Sequence, residues 1–118
     1  MAYELSTGAD GIVRATFIGD TDKDDALAYH KDLEQYMDKA NEDNLFNLII
    51  YVDQAGKFSA EARKSFSQLN DDPRMGRIAY LGANRFIRVI TNFVQKASGR
   101  NNMRFFDSEE EAVSWLNG

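Results

Sequence analysis

Apolar residues are densest at Leu48-Ile49-Ile50-Tyr51-Val52, five in succession. The run is too short for a helix and rich in β-prone side chains. It predicts a strand covered on both faces, and therefore the centre of a sheet. Burying each of these side chains is worth roughly 1.5–3 kcal/mol. Asp53 ends the strand and Gly56 permits a turn. Ser59 is the predicted N-cap of a helix to about Leu69, with Ala62, Phe66 and Leu69 on one face.

The flanking pattern alternates between the two periods. Tyr3 to Ser6 predicts a short strand, Gly8 to Gly11 a turn, and Ile12 to Ile18 a second strand with Val13, Ala15 and Phe17 on one face. Together they predict an antiparallel hairpin. Gly19-Asp20-Thr21 then breaks the alternation. Ala26, Tyr29, Leu33, Tyr36, Met37 and Ala40 recur at helical spacing, with Thr21 or Asp20 as the expected cap and Asn41 to Asn44 as the stop. Asp22, Asp24 and Asp25 fill the first turn, where carboxylates complement the helix dipole.

After a turn at Asn70-Asp71-Asp72-Pro73, Arg77 to Gly82 predicts another strand. Its connection from the central strand runs through a helix, which implies parallel pairing and a right-handed crossover. Asn84 is expected to cap a helix to about Ser98, followed by Gly99. Its residues Phe86, Ile87, Val89, Ile90, Phe93, Val94 and Ala97 span an arc of roughly 160° at about 100° per residue. Ile90, Phe93 and Ala97 are expected against the sheet. Ile87, Val94 and Val89, on the flanks, exceed what one sheet face covers and are read as an interface. Met103 to Phe106 predicts a last strand, and Ser108-Glu109-Glu110-Glu111 a capping box opening a helix that buries Ala112, Trp115 and Leu116. The order ββαβαβαβα describes an α/β single-domain sandwich over residues 1–118, with a five-stranded mixed sheet and four helices. Strand order is left open.

A chain of 118 residues can bury a sizeable core. It has no cysteine, which excludes disulfides, thiol nucleophiles and cysteine-ligated zinc and fits a reducing cytoplasm. No basic and apolar leader is visible at the N-terminus, and no apolar run approaches the roughly 18 residues of a membrane span. The net charge of −5 argues against nucleic acid as a partner, but it conceals an asymmetry. Arg74, Arg77, Arg85, Arg88, Lys96, Arg100 and Arg104 lie in a stretch without one acidic residue, leaving the remainder at −12. Such a stretch is either a solvated face or a surface for an anionic lipid, an acidic partner or an acidic ligand. Arg85, Arg88 and Lys96 adjoin Ile87, Val89 and Val94, so this helix is a candidate surface for self-association, a ligand or an anionic membrane.

Candidate chemistry is sparse. His30 is the only histidine and has no evident nucleophile to activate. Asp20, Asp22, Asp24 and Asp25 lack the glycine and distal glutamate of a calcium loop, and a helix N-terminus accounts for them. Asp53 at a strand end has no evident acid–base partner. No catalytic set, cofactor or metal site is expected. Ser59 carries two readings: a helix cap worth about 1 kcal/mol, and a candidate phosphoacceptor, since a helix N-terminus favours a phosphate. Asp53, Gly56 and Phe58 form the candidate switch loop before it.

Laid out in this order, the chain resembles the SpoIIAA-like branch of the STAS domains, also called STAS/SEC14-like. The resemblance rests on DGIVRATFIGDTDKDD, NLIIYVDQAGKFSAEA, RIAYLGANRFIRVI and FFDSEEEAVSWL, and covers nearly the whole chain. It implies a small cytoplasmic α/β regulatory domain without enzymatic activity, acting through a protein partner or as a homodimer. Related domains are anti-anti-sigma factors switched by phosphorylation of a serine at the N-terminus of the helix after the central strand, the neighbourhood of Ser59. The phosphorylated motif there has Asp-Ser-Ser-Gly character, whereas this chain reads Lys57-Phe58-Ser59-Ala60. The SEC14-like side implies the alternative, a binder of a lipid or other apolar ligand with peripheral attachment to a membrane.

Overall fold

The computed structural model describes residues 2–41, 43–82 and 85–118, apart from the side chains of Arg85, Phe86, Ile90 and Ser98. Its strands are β1 (Tyr3–Thr7), β2 (Val13–Phe17), β3 (Gly19–Thr21), β4 (Phe46–Tyr51), β5 (Ala55–Phe58), β6 (Met75–Leu81) and β7 (Met103–Phe106). Its helices are α1 (Lys23–Met37), α2 (Ala60–Asn70), α3 (Arg85–Ser98) and α4 (Glu109–Asn117). The main sheet has five strands in the order β1-β2-β4-β6-β7, so the apolar run lies at its centre as expected. Only β1–β2 is antiparallel; β2–β4, β4–β6 and β6–β7 are parallel. The crossover through α2 is the physical reason, because a hairpin cannot join parallel neighbours.

Alternation along the strands divides the sheet into two unequal faces. Val13, Ala15, Phe17, Leu48, Ile50, Ile78 and Tyr80 meet α1, α2 and α3 in the main core. Ile49, Ala79 and Leu81 meet Ala112 and Leu116 of α4 in a smaller one. The main core is built on aromatic rings. Phe17 lies 4.9 Å from Tyr29, 5.6 Å from Phe58 and 5.6 Å from Phe66, in tilted or edge-on arrangements. Such pairs add about 0.5–1.5 kcal/mol each beyond their burial.

The structure departs from the sequence reading at several places. Gly19-Asp20-Thr21 and Ala55–Phe58 form a small parallel ribbon, β3–β5, outside the main sheet, where a break and a turn were expected. Its pairing joins segments far apart in sequence and leaves no local period. The cap of α1 is Asp22 rather than Thr21 or Asp20: its carboxylate accepts from Asp25 N–H (2.9 Å), and the Asp25 carboxylate accepts from Asp22 N–H (3.2 Å). Thr21 is instead buried in β3. Helix α1 stops at Met37, with Ala40 beyond it but still packed on the core. Ser108 caps α4 by accepting from Glu111 N–H, while the Glu111 carboxylate meets the Ser108 hydroxyl at 3.4 Å. The expected cap Asn84 lies outside the described residues.

The largest correction concerns α3. Ile87 (2% exposed), Thr91 (3%) and Val94 (1%) face the core, whereas Val89 (62%) and Phe93 (47%) face outward and Ala97 is exposed. The buried face is thus centred on an i, i+4, i+7 row that includes a threonine. Ile87 and Val94 therefore hold the helix to the sheet and are not available as a surface. Counting only apolar side chains shifts the inferred face, because Thr91, polar by type, occupies an inward position.

Candidate functional site

The candidate site lies at the carboxyl ends of β4 and β6. Val52 N–H donates to Leu81 O (2.9 Å), and Ala55 N–H donates to Val52 O (3.2 Å), which reverses the chain around exposed Asp53. Gly82, at φ +77°, brings the exit of β6 so close that an added Cβ would lie 2.7 Å from Asp53 Cβ. Glycine meets both demands, conformation and space.

The ribbon then sets Ser59 in place. Gly19 N–H donates to Gln54 O (2.9 Å), Lys57 N–H to the Asp20 carboxylate (2.8 Å), and Ser59 N–H to Thr21 O (3.0 Å). Gly56 is packed against Asp20, with room for no Cβ. Phe58 is buried among Phe17 and Phe66. Gly56 and Phe58 are therefore strand residues, one packed and one core, rather than parts of a free loop; of the expected switch residues only Asp53 lies in a turn. Ser59 sits in extended conformation, half-buried, and its Oγ accepts from Ala62 N–H (3.1 Å). The predicted cap is thus present at the surface end of α2.

One turn along, Arg63 lies over the ring of Phe93 of α3, 5.9 Å from its centroid. No local pattern signals this pairing, which depends on α2 packing beside α3. Ser59, Arg63, Val89 and Phe93 thereby belong to one side of the molecule, with Lys96 also exposed on α3. Arg88 turns to the β7 edge, its guanidinium 4.7 Å from the Phe105 ring. The side chain of Arg85 lies outside the described residues.

Elsewhere, the charged clusters tie the framework together. Arg74 pairs with Glu34 (2.9 Å), Asp38 (3.2 Å) and Asp72 (2.7 Å), and it holds the Asp72 carboxyl below its usual range. Arg14 bridges Asp10 (2.9 Å) and Glu109 (2.6 Å); hydrogen bonding to that guanidinium lowers the Asp10 carboxyl to about 2. Glu109 is also lowered, first by the hydrogen bond from the Tyr51 hydroxyl and then by Arg14. His30 lies 3.6 Å from Glu34 on the same helix. Within the main core, beneath α2 and α3, a void of about 30 Å³ is bordered by Tyr29, Ile50, Phe66, Tyr80, Ile87 and Val94. The buried Tyr29 hydroxyl beside it has no hydrogen-bond partner among the described residues. A space of that size takes about two water molecules.

A family model described as SpoIIAA-like matches residues 12–117. No curated protein sequence matches the chain. Among solved structures, a protein from Shewanella loihica described as having a SpoIIAA-like fold is similar over 98% of this chain and 92% of its own, at 16% identity and TM-score 0.73. The anti-sigma factor antagonist SpoIIAA in its unphosphorylated form is similar over 99% of both chains, at 15% identity and TM-score 0.69. The Bacillus cell fate determinant SpoIIAA in its phosphorylated form is similar over 98% of this chain and 99% of that one, at 16% identity and TM-score 0.61. The chain belongs to the SpoIIAA-like family.

Proposed function

We propose that this member of the SpoIIAA-like family is a non-enzymatic regulatory module that docks a protein partner beside the N-terminus of α2, and that a phosphoryl group on Ser59 switches the docking. The observation that carries the reading is the position of Ser59. Its Oγ caps α2 at the surface, one turn before Arg63, which in turn overlies exposed Phe93. A phosphate there meets the N-terminal end of α2, where the helix dipole favours negative charge, so the fold accepts it. It would add nearly two negative charges beside the apolar strip of Val89 and Phe93, changing that surface without moving the backbone. The similarity to an anti-sigma factor antagonist that exists in phosphorylated and unphosphorylated forms supports the same reading. A lipid or other apolar ligand would need far more room than the void beside Tyr29 offers. An anionic membrane against Val89 and Phe93 is an outcome the test resolves.

The test places a photo-crosslinking residue at Val89 and, as a control, at Ser6 in β1, both introduced in cells of the protein's source. Position 89 should capture a discrete protein that position 6 does not. Ser59→Asp, which still caps, should abolish that capture. Ser59→Ala should leave it intact while costing about 1 kcal/mol of stability. Identical products from both positions would refute the docking surface, and crosslinks to lipid would replace protein with membrane. Capture indifferent to Ser59→Asp would leave the serine as a cap alone.

A further inference from the structure

The basic stretch from Arg74 to Arg104 does not form one surface. Arg74 is neutralised by three carboxylates, and Arg100 donates to the carbonyls of Asn70 (2.8 Å) and Met75 (2.7 Å). Arg88 lies over Phe105 on the side of the sheet facing the three helices. Two members converge elsewhere. Arg77 shares the alternation of Ala79 and Leu81, which face α4, and Arg104 is the strand partner of Ala79. Their guanidinium carbons lie 5.1 and 5.8 Å from the centroid of the same ring, that of Trp115. Both are exposed, and neither forms an ion pair with a described residue, although the chain has 19 acidic residues. Cation–π contacts favour each arginine individually but leave the two like charges uncompensated.

The donors are only partly used. Arg77 Nη1 donates to Trp115 O in the last turn of α4, which fixes its guanidinium and leaves other N–H groups of the fork open. The Arg104 guanidinium makes no hydrogen bond to a described residue. The two arginines and Trp115 border a concavity of about 330 Å³ with Asn101, Asn102 and Met103. Asn102 is a rigid part of that wall, because its amide is consumed by Asn70 and Gly76 O (2.6 Å). Asn101 presents a further exposed amide. The space lies within the range of small-molecule sites, roughly 300–1,000 Å³.

We propose that this concavity binds a phosphate-type oxyanion, either free phosphate or the phosphoryl group of a small metabolite, between Arg77 and Arg104. Planar guanidinium forks match such oxygens in geometry and charge. The site lies on the α4 face, near the starts of β6 and β7, whereas Ser59 follows the carboxyl end of β4, so it stands independently of the partner-docking reading.

Trp115 is the only tryptophan, so its fluorescence reports on the site alone. Inorganic phosphate and glucose 6-phosphate are titrated separately at constant ionic strength, with chloride as control. The expected result is a saturable change in Trp115 emission that chloride does not produce. Arg104→Gln should weaken the midpoint at least tenfold while the domain stays folded, with only the small drop in melting temperature that loss of its contact with Trp115 implies. Arg77→Lys, which keeps the charge and loses the fork, should weaken it similarly. Equal midpoints for the two probes would identify a site for the oxyanion alone, and a tighter one for glucose 6-phosphate a site for a phosphorylated metabolite. A response that chloride reproduces, or one that Arg104→Gln retains in full, overturns the proposal.

Discussion

Gly56→Ala tests how firmly β5 is locked onto β3, and with it the placement of Ser59. A Cβ built on Gly56 would lie 2.3 Å from Asp20 Oδ1, 3.1 Å from Gly19 C and 3.2 Å from Asp20 N. The carboxylate must swing away, surrendering the bond from Lys57 N–H at 2.8 Å. A hydrogen bond to a charged group is worth about 1.5–3 kcal/mol, and less at an exposed site such as this. The two backbone approaches add strain of the kind that overpacking produces, about 1–3 kcal/mol at most sites. Alanine also restricts the unfolded chain, which returns about 0.4–1 kcal/mol. The net expectation is a loss of about 1–3 kcal/mol, or roughly 4 °C of melting temperature per kcal/mol in a domain of this size. Urea unfolding followed by circular dichroism measures it, with an unchanged slope confirming that only stability has moved. The decisive comparison is a double-mutant cycle. Asp20→Ala removes the obstructing oxygen, so Gly56→Ala in that background should cost at least 1 kcal/mol less than alone. Additive costs would show that Asp20 does not lie against Gly56, and the ribbon as described would be wrong.

Two further predictions concern α3 and the tyrosines. Ile87→Gln with Val94→Gln should unfold the domain, since each buries an unpartnered amide at a cost of about 1–3 kcal/mol on top of lost packing; Val89→Gln with Phe93→Gln should cost about 1 kcal/mol or less, mainly the contact with Arg63. Thermal melts of the two double variants decide it, and the reverse order would mean that the helix is rotated from its described position. Burial raises the Tyr80 hydroxyl to about 12, and burial with the Asp32 carboxylate raises Tyr3 to about 12. Burial also pushes Tyr29 well above its ordinary value. These groups ionise near pH 10 in the unfolded chain, so the stability they contribute is fully present below pH 10; for Tyr3 and Tyr80 it is lost as pH rises through about 12. Absorbance at 295 nm near pH 11 should be much lower for the folded protein than for the same chain in urea, and equal readings would contradict the described burial.

The parts that were legible in the sequence are those governed by local periodicity. The apolar run Leu48 to Val52, the alternation of Val13, Ala15 and Phe17, and the caps at Ser59 and Ser108 each carry their signal within a few residues. The β3–β5 ribbon does not. It depends on Asp20 reaching Lys57 and on Gly56 leaving space, and neither segment looks like a strand alone. Position along the chain also hid the division of the basic stretch: the side chains of Arg74, Arg77, Arg88 and Arg104 part according to strand alternation, helix face and neighbouring elements. The buried row of α3 escapes a count of apolar residues because Thr91 is polar by type yet sits at an inward position, where the spacing from Ile87 and Val94 decides its environment.

The strand order carries a consequence for how the chain acquires its shape. Only β1 and β2 can zip together locally; every other pairing in the main sheet joins strands separated by a helix, as where Val13 meets Leu48. Closing such loops costs entropy before any pairing returns it, so formation of the sheet is slow relative to a helical bundle of equal length. The central parallel pair of the sheet is β4–β6, joined through α2, which brings Ile50 beside Tyr80 and sets Phe66 over the main-core face. That unit is the natural nucleus. Substitutions such as Ile50→Val should retard refolding, whereas changes in the β1–β2 hairpin should chiefly hasten unfolding.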